Sequence, residues 1–197
     1  MKHLVIVAGA STGGKTTHAD GMRLHLRSHG IHVARESFAA YLKEEAVRRG
    51  WNGKKDTKGR MFLQELQYTL KHDYGEDIFA RKMLENAMID FNTGNDVVIV
   101  DDHRFMIERL FLATLNPKKI KVTFVKFYDA QAETRWRKAF KALEPWALHV
   151  SELEWRAFPD EAWDVIYHND RTLGVTNSVV QFTNAINLVA SFERKRK

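Results

Sequence analysis

Residues 9–16 read Gly-Ala-Ser-Thr-Gly-Gly-Lys-Thr, a G-x-x-x-x-G-K-[ST] pattern, directly after the apolar run Leu4-Val5-Ile6-Val7-Ala8. No other segment constrains the fold as strongly. A short, continuously apolar, β-branched run suits a strand buried on both faces. Glycines after it let backbone N–H groups turn inward around phosphate oxygens, and a following helix presents its positive end to them. Lys15 then reaches the β- and γ-phosphates of ATP, and the Thr16 hydroxyl binds Mg²⁺. Gly9, Ser11, Thr12, Gly13, Gly14, Lys15 and Thr16 are thus the expected nucleotide contacts, with Thr17 near the α-phosphate. An ordinary glycine turn would need neither the strand before it nor the helix after it.

The rest of the chain alternates in the same manner. Strands are expected over residues 31–35, 96–100, 120–127 and 162–167. Helices are expected over 15–28, 38–49, 60–70, 75–91, 104–115, 130–143 and 176–192, with 144–160 as the least regular stretch. Alternation of this kind means a parallel sheet covered on both faces. The expected fold is a three-layer α/β/α sandwich with a mainly parallel sheet of about five strands. The 197 residues suffice for one domain. Within it, residues 36–92 would form a helical acceptor-binding region, 130–160 a lid-like region and 193–197 a basic tail.

There are no cysteines, so disulfides and thiolate-ligated zinc are excluded. No apolar stretch approaches the roughly 20 residues of a membrane span, and the expectation is a soluble, cytoplasmic protein, in a host cell if viral. The net charge of +6 is concentrated in two places. Arg194 to Lys197 close the chain, and residues 48–60 carry six basic side chains against Asp56. Such patches attract phosphates of nucleotides or nucleic acid, or are simply solvated. The histidines lack metal spacing. His18, His25, His29 and His32 read as surface or helix-end residues, and His103 and His168 as residues that orient loops.

A second apolar run ends in Asp101-Asp102. Ligands of open α/β sheets bind at the carboxyl edge of the strands, and an acid there can hold Mg²⁺. Asp101, nearer the strand, is the favoured metal residue beside Thr16. Alternatively, either acid caps the helix beginning near Arg104.

Several further segments carry a family resemblance. They are Ser37-Phe38-Ala39-Ala40-Tyr41-Leu42-Lys43, then Trp51 to Asp56 with Gly59-Arg60 and Leu63-Gln64, then Asp101 to Phe105 with Glu108. His149-Val150-Ser151-Glu152 and Asn169-Asp170-Arg171-Thr172-Leu173 follow. In order, and over nearly the whole chain, they resemble the phage-type deoxynucleoside monophosphate kinases, within the P-loop nucleoside and nucleotide kinases. The resemblance implies transfer of the ATP γ-phosphoryl group, with Mg²⁺, to a nucleotide acceptor. It implies that Arg104 contacts the acceptor or its phosphate, and that Lys43, Arg60 and Gln64 line the acceptor side. Arg135 and Arg137 resemble lid arginines that clamp the phosphoryl group, the alternative being a solvated helix face. Asn169 and Thr172 would lie by the adenine.

Three features depart from that pattern. Arg171 stands where the family has glycine, the usual lid is hard to locate in residues 144–159, and Glu36 follows the second strand. A phosphate acceptor needs no base, whereas a hydroxyl acceptor must lose a proton, which a strand-end carboxylate can take. Glu36 thus motivates an alternative acceptor, the hydroxyl of a hydroxymethyl-pyrimidine in DNA, unless it merely pairs with Arg35. Phe38, Tyr41 and Trp51 would stack on such a base or on that of a free nucleotide, or else belong to the core. A third reading is a nucleotide-gated binding protein without an acceptor.

Overall fold

In the computed structural model, which describes residues 2–54 and 56–193, five strands form one wholly parallel sheet. In chain order they are β1 (Lys2–Gly9), β2 (Val33–Glu36), β3 (Val97–Val100), β4 (Ile120–Tyr128) and β5 (Val165–His168). Their order across the sheet is β2-β3-β1-β4-β5. The first strand is central, with Leu4 opposite Val98 on one side and Val122 on the other. That position explains its composition. Leu4, Ile6 and Ala8 face a core shared with Val98, Val100 and Trp155, while Val5 and Val7 face one shared with Met22, Leu26 and Phe182. Each fully buried valine, leucine or isoleucine among them stabilises the fold by about 1.5–3 kcal/mol.

The helices are α1 (Lys15–Ser28), α2 (Ala40–Arg48), α3 (Thr57–Tyr74), α4 (Ile78–Asn92), α5 (Met106–Ala113) and α6 (Ala130–Lys141). They continue with α7 (Pro145–Leu148), α8 (Val150–Ala157), α9 (Gly174–Ala185) and α10 (Leu188–Glu193). A third, smaller core of Leu42, Ala46, Leu66, Leu70, Ile78 and Phe79 joins α2, α3 and α4 beside the sheet.

The three-layer α/β/α expectation holds, and several boundaries move for identifiable reasons. The second strand begins at Val33 because Ile31 N–H closes the end of α1 onto Leu26 O at 3.1 Å. The third helix starts at Thr57, where Asp56 accepts from Gly59 N–H at 2.8 Å, and ends at Gly75 with φ 98°. The helix expected from Arg104 starts at Met106, because the Glu108 carboxylate holds the Arg104 and Phe105 N–H groups ahead of it. Residues 144–160 are not irregular: Pro145 opens α7, and His149 caps α8. The last strand starts at Val165, since residues 160–162 form a 3₁₀ turn. The closing helix is two helices, broken at Asn187, whose φ is 57°. The basic tail, Arg194 to Lys197, and Lys55 lie outside the described residues. No described helix is long and apolar enough to cross a membrane.

Candidate active site

All five strands point their carboxyl ends to one edge, where Gly9, Glu36, Asp101, Asp129 and Asn169 leave the sheet. The 10–14 loop leaves the central strand there. Gly9 must be glycine, because a Cβ would lie 2.4 Å from Phe127 O on the neighbouring strand. Thr12 and Gly14 adopt left-handed φ values of 62° and 96°, which turn the loop back on itself. Lys15, the first residue of α1, folds its Nζ onto Gly9 O and Ala10 O, both at 2.8 Å. Its pKa falls to about 7, first through burial and then through the charge of Arg104, against the pull of Glu152, Asp101 and Asp102. Next to it, Thr16 Oγ1 donates to Asp101 Oδ2 at 2.6 Å.

Asp101 is buried and carries a second partner that the sequence did not reveal. Arg35 Nε and Nη2 donate to Asp101 Oδ1 at 3.1 and 2.9 Å, and Arg35 Nη1 reaches Asp20 at 3.0 Å. Asp102 does not cap the helix after Arg104. It accepts from Ser37 Oγ at 2.6 Å and from the Phe38 and Ala39 N–H groups at 3.0 and 3.1 Å, fixing the turn before α2. Glu36 lines a hollow of about 370 Å³ with Arg35 and Asp20 but makes no bond to either. Its Oε2 accepts from Asn86 Nδ2 of α4 at 3.4 Å, and burial, with Asp90 nearby, raises its pKa. Arg35 pairs with Asp101 and Asp20, and not with Glu36.

Beside Arg104, a cavity of about 250 Å³ is lined by Phe38, Lys43, Gln67, Phe79, Asp102 and Arg104, among others. Arg104 Nη1 donates to Gly9 O at 3.1 Å and to Glu152 Oε1 at 3.0 Å. Beyond that pair, a larger cleft of about 660 Å³ is lined by Ser11, Arg60, Gln64, Trp146, His149 and Glu152. Arg60 and Arg135 also line a third hollow over Ser11 and Thr12. Arg137 is exposed and lines none of the three. Tyr41 is not on the cavity wall; it packs on the small core near Phe79, with Lys82 Nζ 5.7 Å from its ring. Arg156, the one arginine of residues 144–159, is committed to Glu133 and Glu152 and lies over the Trp136 and Trp155 rings at 4.0 and 4.2 Å.

On the other side of the loop, a hollow of about 370 Å³ is lined by Thr12, Gly14, Thr17, His18, Asn169 and Arg171, among others. Buried Asp129 holds its wall together. It accepts from Arg171 Nε and Nη2 at 2.7 and 2.9 Å, Asn169 Nδ2 at 2.8 Å and Ala132 N–H at 2.8 Å. Burial opposes its charge, but these bonds, Arg171 first, outweigh it and keep the carboxyl below its usual value. Thr172 spends its N–H and hydroxyl on Asp170, at 2.9 and 2.6 Å, and does not line the hollow. His18, read as a surface residue, is buried and bridges Gly14 O and Ser178 Oγ at 3.0 and 2.8 Å.

Neither protein-family models nor curated proteins match this sequence. Solved structures do. The chain is similar to the APS kinase CysC of Mycobacterium tuberculosis in complex with AMPPNP and APS, at 15% identity over 94% of this chain and 98% of that one, with a TM-score of 0.50. A gluconokinase from Sinorhizobium meliloti 1021 matches at 13% identity over 96% and 97% of the two chains, with a TM-score of 0.45. The chain has the P-loop kinase fold.

In a P-loop site, the donor set at Thr16 and Asp101 is one hydroxyl and one carboxylate. The described residues contain no group of three or more His, Asp or Glu side chains that could hold a metal alone. This set suits Mg²⁺, which keeps waters and takes its remaining oxygens from phosphates. Arg60 and Arg135 border the hollow over Ser11 and Thr12, and Lys15 and Arg104 both donate to Gly9 O at the start of the loop, so four cations gather where negative charge would be neutralised. The residues the sequence did not single out are Gln67, Asp129 and Arg35's role on Asp101. Asp129 and Arg35 left no signal, since Asn169, Arg171 and Asp101 lie far from them in the chain; Gln67 reaches its cavity only through the placement of α3.

Proposed function

We propose that this chain is an ATP- and Mg²⁺-dependent phosphotransferase acting on a nucleotide, with a deoxynucleoside monophosphate as acceptor. The observation that supports this best is the Thr16–Asp101 hydrogen bond of 2.6 Å, which joins the loop and the next strand end across 85 residues of sequence. In this reading Mg²⁺, when bound by Thr16 and Asp101, neutralises charge on the phosphate oxygens. Lys15 leaves its two carbonyl partners for the phosphates, which favour its charged form. Arg104 sits between the loop and the acceptor cavity and orients the incoming phosphate oxygen. That oxygen is already anionic, so it bonds to the γ-phosphorus as the bond to the bridging oxygen breaks, and no base is needed. Arg60 and Arg135 offer further positive charge across the cleft. Thr17, Asn169 and Arg171 would surround the adenine.

A second reading has a specific observation in its favour. The carboxylate Asp102 lines the acceptor cavity, and the neighbouring cleft is wide and bears Arg60 and Trp146. These features suit the hydroxyl of a hydroxymethyl-pyrimidine presented from DNA, extruded from its stack. A strand-end carboxylate, Glu36 or Asp102, would then take the hydroxyl proton. Transfer of label from γ-labelled ATP separates the two readings. A labelled nucleoside diphosphate supports the first, and labelled DNA containing hydroxymethyluracil supports the second. Label in free phosphate alone, whatever acceptor is offered, contradicts both.

A further inference from the structure

The cavity beside Arg104 has three aromatic residues in its wall, Phe38, Phe79 and Phe105, and five charged or amide side chains. Three of those five are already used within the protein. Asp102 fixes the 37–39 turn through three hydrogen bonds. Glu108 Oε2 meets His103 Nδ1 at 2.9 Å and accepts the Arg104 and Phe105 N–H groups at 2.9 and 3.1 Å. Arg104 is shared between Gly9 O and Glu152. Gln67 and Lys43 remain. Among the described residues neither side chain makes a hydrogen bond or ion pair, yet both border the cavity. Gln67 is half-buried on α3, one turn beyond Gln64, which lines the larger cleft instead.

A carboxamide without a protein partner, on a cavity wall that also carries aromatic residues, suits one kind of ligand. The amide offers an acceptor oxygen and two donor hydrogens in one plane. Those match the edge of a planar heterocycle that carries a donor beside an acceptor, as nucleobases do. The volume, about 250 Å³, lies just under the roughly 300–1,000 Å³ typical of drug-sized ligands. It is sized for one ring system, with the rest of the acceptor extending past Arg104 and Glu152 into the larger cleft. Lys43 stands ready for an anionic group.

We propose that Gln67 selects the acceptor by hydrogen-bonding the edge of its base, with Phe38, Phe79 and Phe105 holding the ring. This rests on the reading of the chain as a nucleotide phosphotransferase and adds to it the residue that discriminates among bases. The aromatic residues accept any ring, because every base has a π-face. Only the amide distinguishes one edge from another, and a bidentate pair of this type discriminates by about 1–3 kcal/mol, or roughly 5- to 150-fold.

The test compares wild-type protein, Gln67→Leu and Gln67→Glu, each offered the four deoxynucleoside monophosphates. kcat/KM is measured for every acceptor, and ATP binding is measured separately by calorimetry. Gln67→Leu should flatten the wild-type preference among the four bases by 5-fold or more. Gln67→Glu, which accepts but cannot donate, should shift preference toward bases whose edge offers N–H donors. ATP affinity should stay within 2-fold of wild type in both, which confirms a folded loop. If both variants change kcat/KM by the same factor for all four bases, or not at all, Gln67 only packs and the inference is wrong. If wild-type protein binds ATP but phosphorylates none of the four, the phosphotransferase reading has failed on this acceptor class, and base selection by Gln67 falls with it.

Discussion

Nucleotide binding to this protein should take up a proton, and Lys15 is the reason. Its Nζ is buried between two carbonyls, with Arg104 nearby, and its pKa falls to about 7 from 10.5. At pH 8, one unit above that value, the amine is about 90% neutral by simple titration. Phosphates placed against it favour the charged form and return its pKa toward the normal range. ATP binding at pH 8 should thus draw about 0.9 proton per site, falling to about 0.1 at pH 6, where Lys15 is charged beforehand. Calorimetric titrations with ATP in two buffers of different ionisation enthalpy give the proton number directly. The control is Lys15→Arg, whose guanidinium is charged at both pH values and should take up none. The same depressed pKa disfavours the folded state below about pH 7. That destabilisation should fade as pH rises from about 7 to the unfolded value of 10.5. If wild-type uptake at pH 8 is no greater than that of Lys15→Arg, Lys15 is not titrating in this site and the reasoning fails.

Three other perturbations probe separate parts of the structure. Asp101→Asn keeps the shape but removes the charge beside Thr16; it should cut transfer by about 10²-fold or more and raise the Mg²⁺ concentration for half-maximal rate, read by metal titration. Asp129→Asn leaves Arg171 without its charged partner and should raise the KM for ATP several-fold with kcat little changed; an unchanged KM would show that the 169–171 loop does not hold the nucleoside. Gly21→Ala would place a Cβ 2.5 Å from Val179 Cγ2 on α9. The cost of overpacking, about 1–3 kcal/mol, exceeds the roughly 1 kcal/mol that alanine gains in a helix. Its Tm should fall by a few degrees, and a Tm at or above wild type would contradict the packing of α1 on α9.

The sheet was legible because burial on both faces leaves an unmistakable mark, an unbroken apolar run, in residues 4–8 and 97–100. The loop between strand and helix was legible because its glycines are set by local geometry, as the 2.4 Å approach at Gly9 shows. Edge strands carried less signal: β2 is four residues long and half-covered, and its start was misplaced by two residues. The helical stretch 144–160 was obscured by prolines that open turns and helices rather than break them. Side-chain pairing was hardest to read. Arg35 and Glu36 are adjacent in sequence, yet alternation along a strand sends one to Asp101 and the other to α4. Gln64 and Gln67 look alike in the sequence, but the packing of α3 on α2 and α4 places Gln67, and not Gln64, on the wall of the cavity beside Arg104.

The most direct test is a transfer assay with γ-labelled ATP and Mg²⁺, offering each deoxynucleoside monophosphate in turn and, in parallel, DNA containing hydroxymethyluracil. Label in a nucleoside diphosphate is the predicted result. Label retained in acid-precipitable DNA would move the acceptor to a base hydroxyl, and label found only in inorganic phosphate would contradict phosphotransfer to a nucleotide altogether.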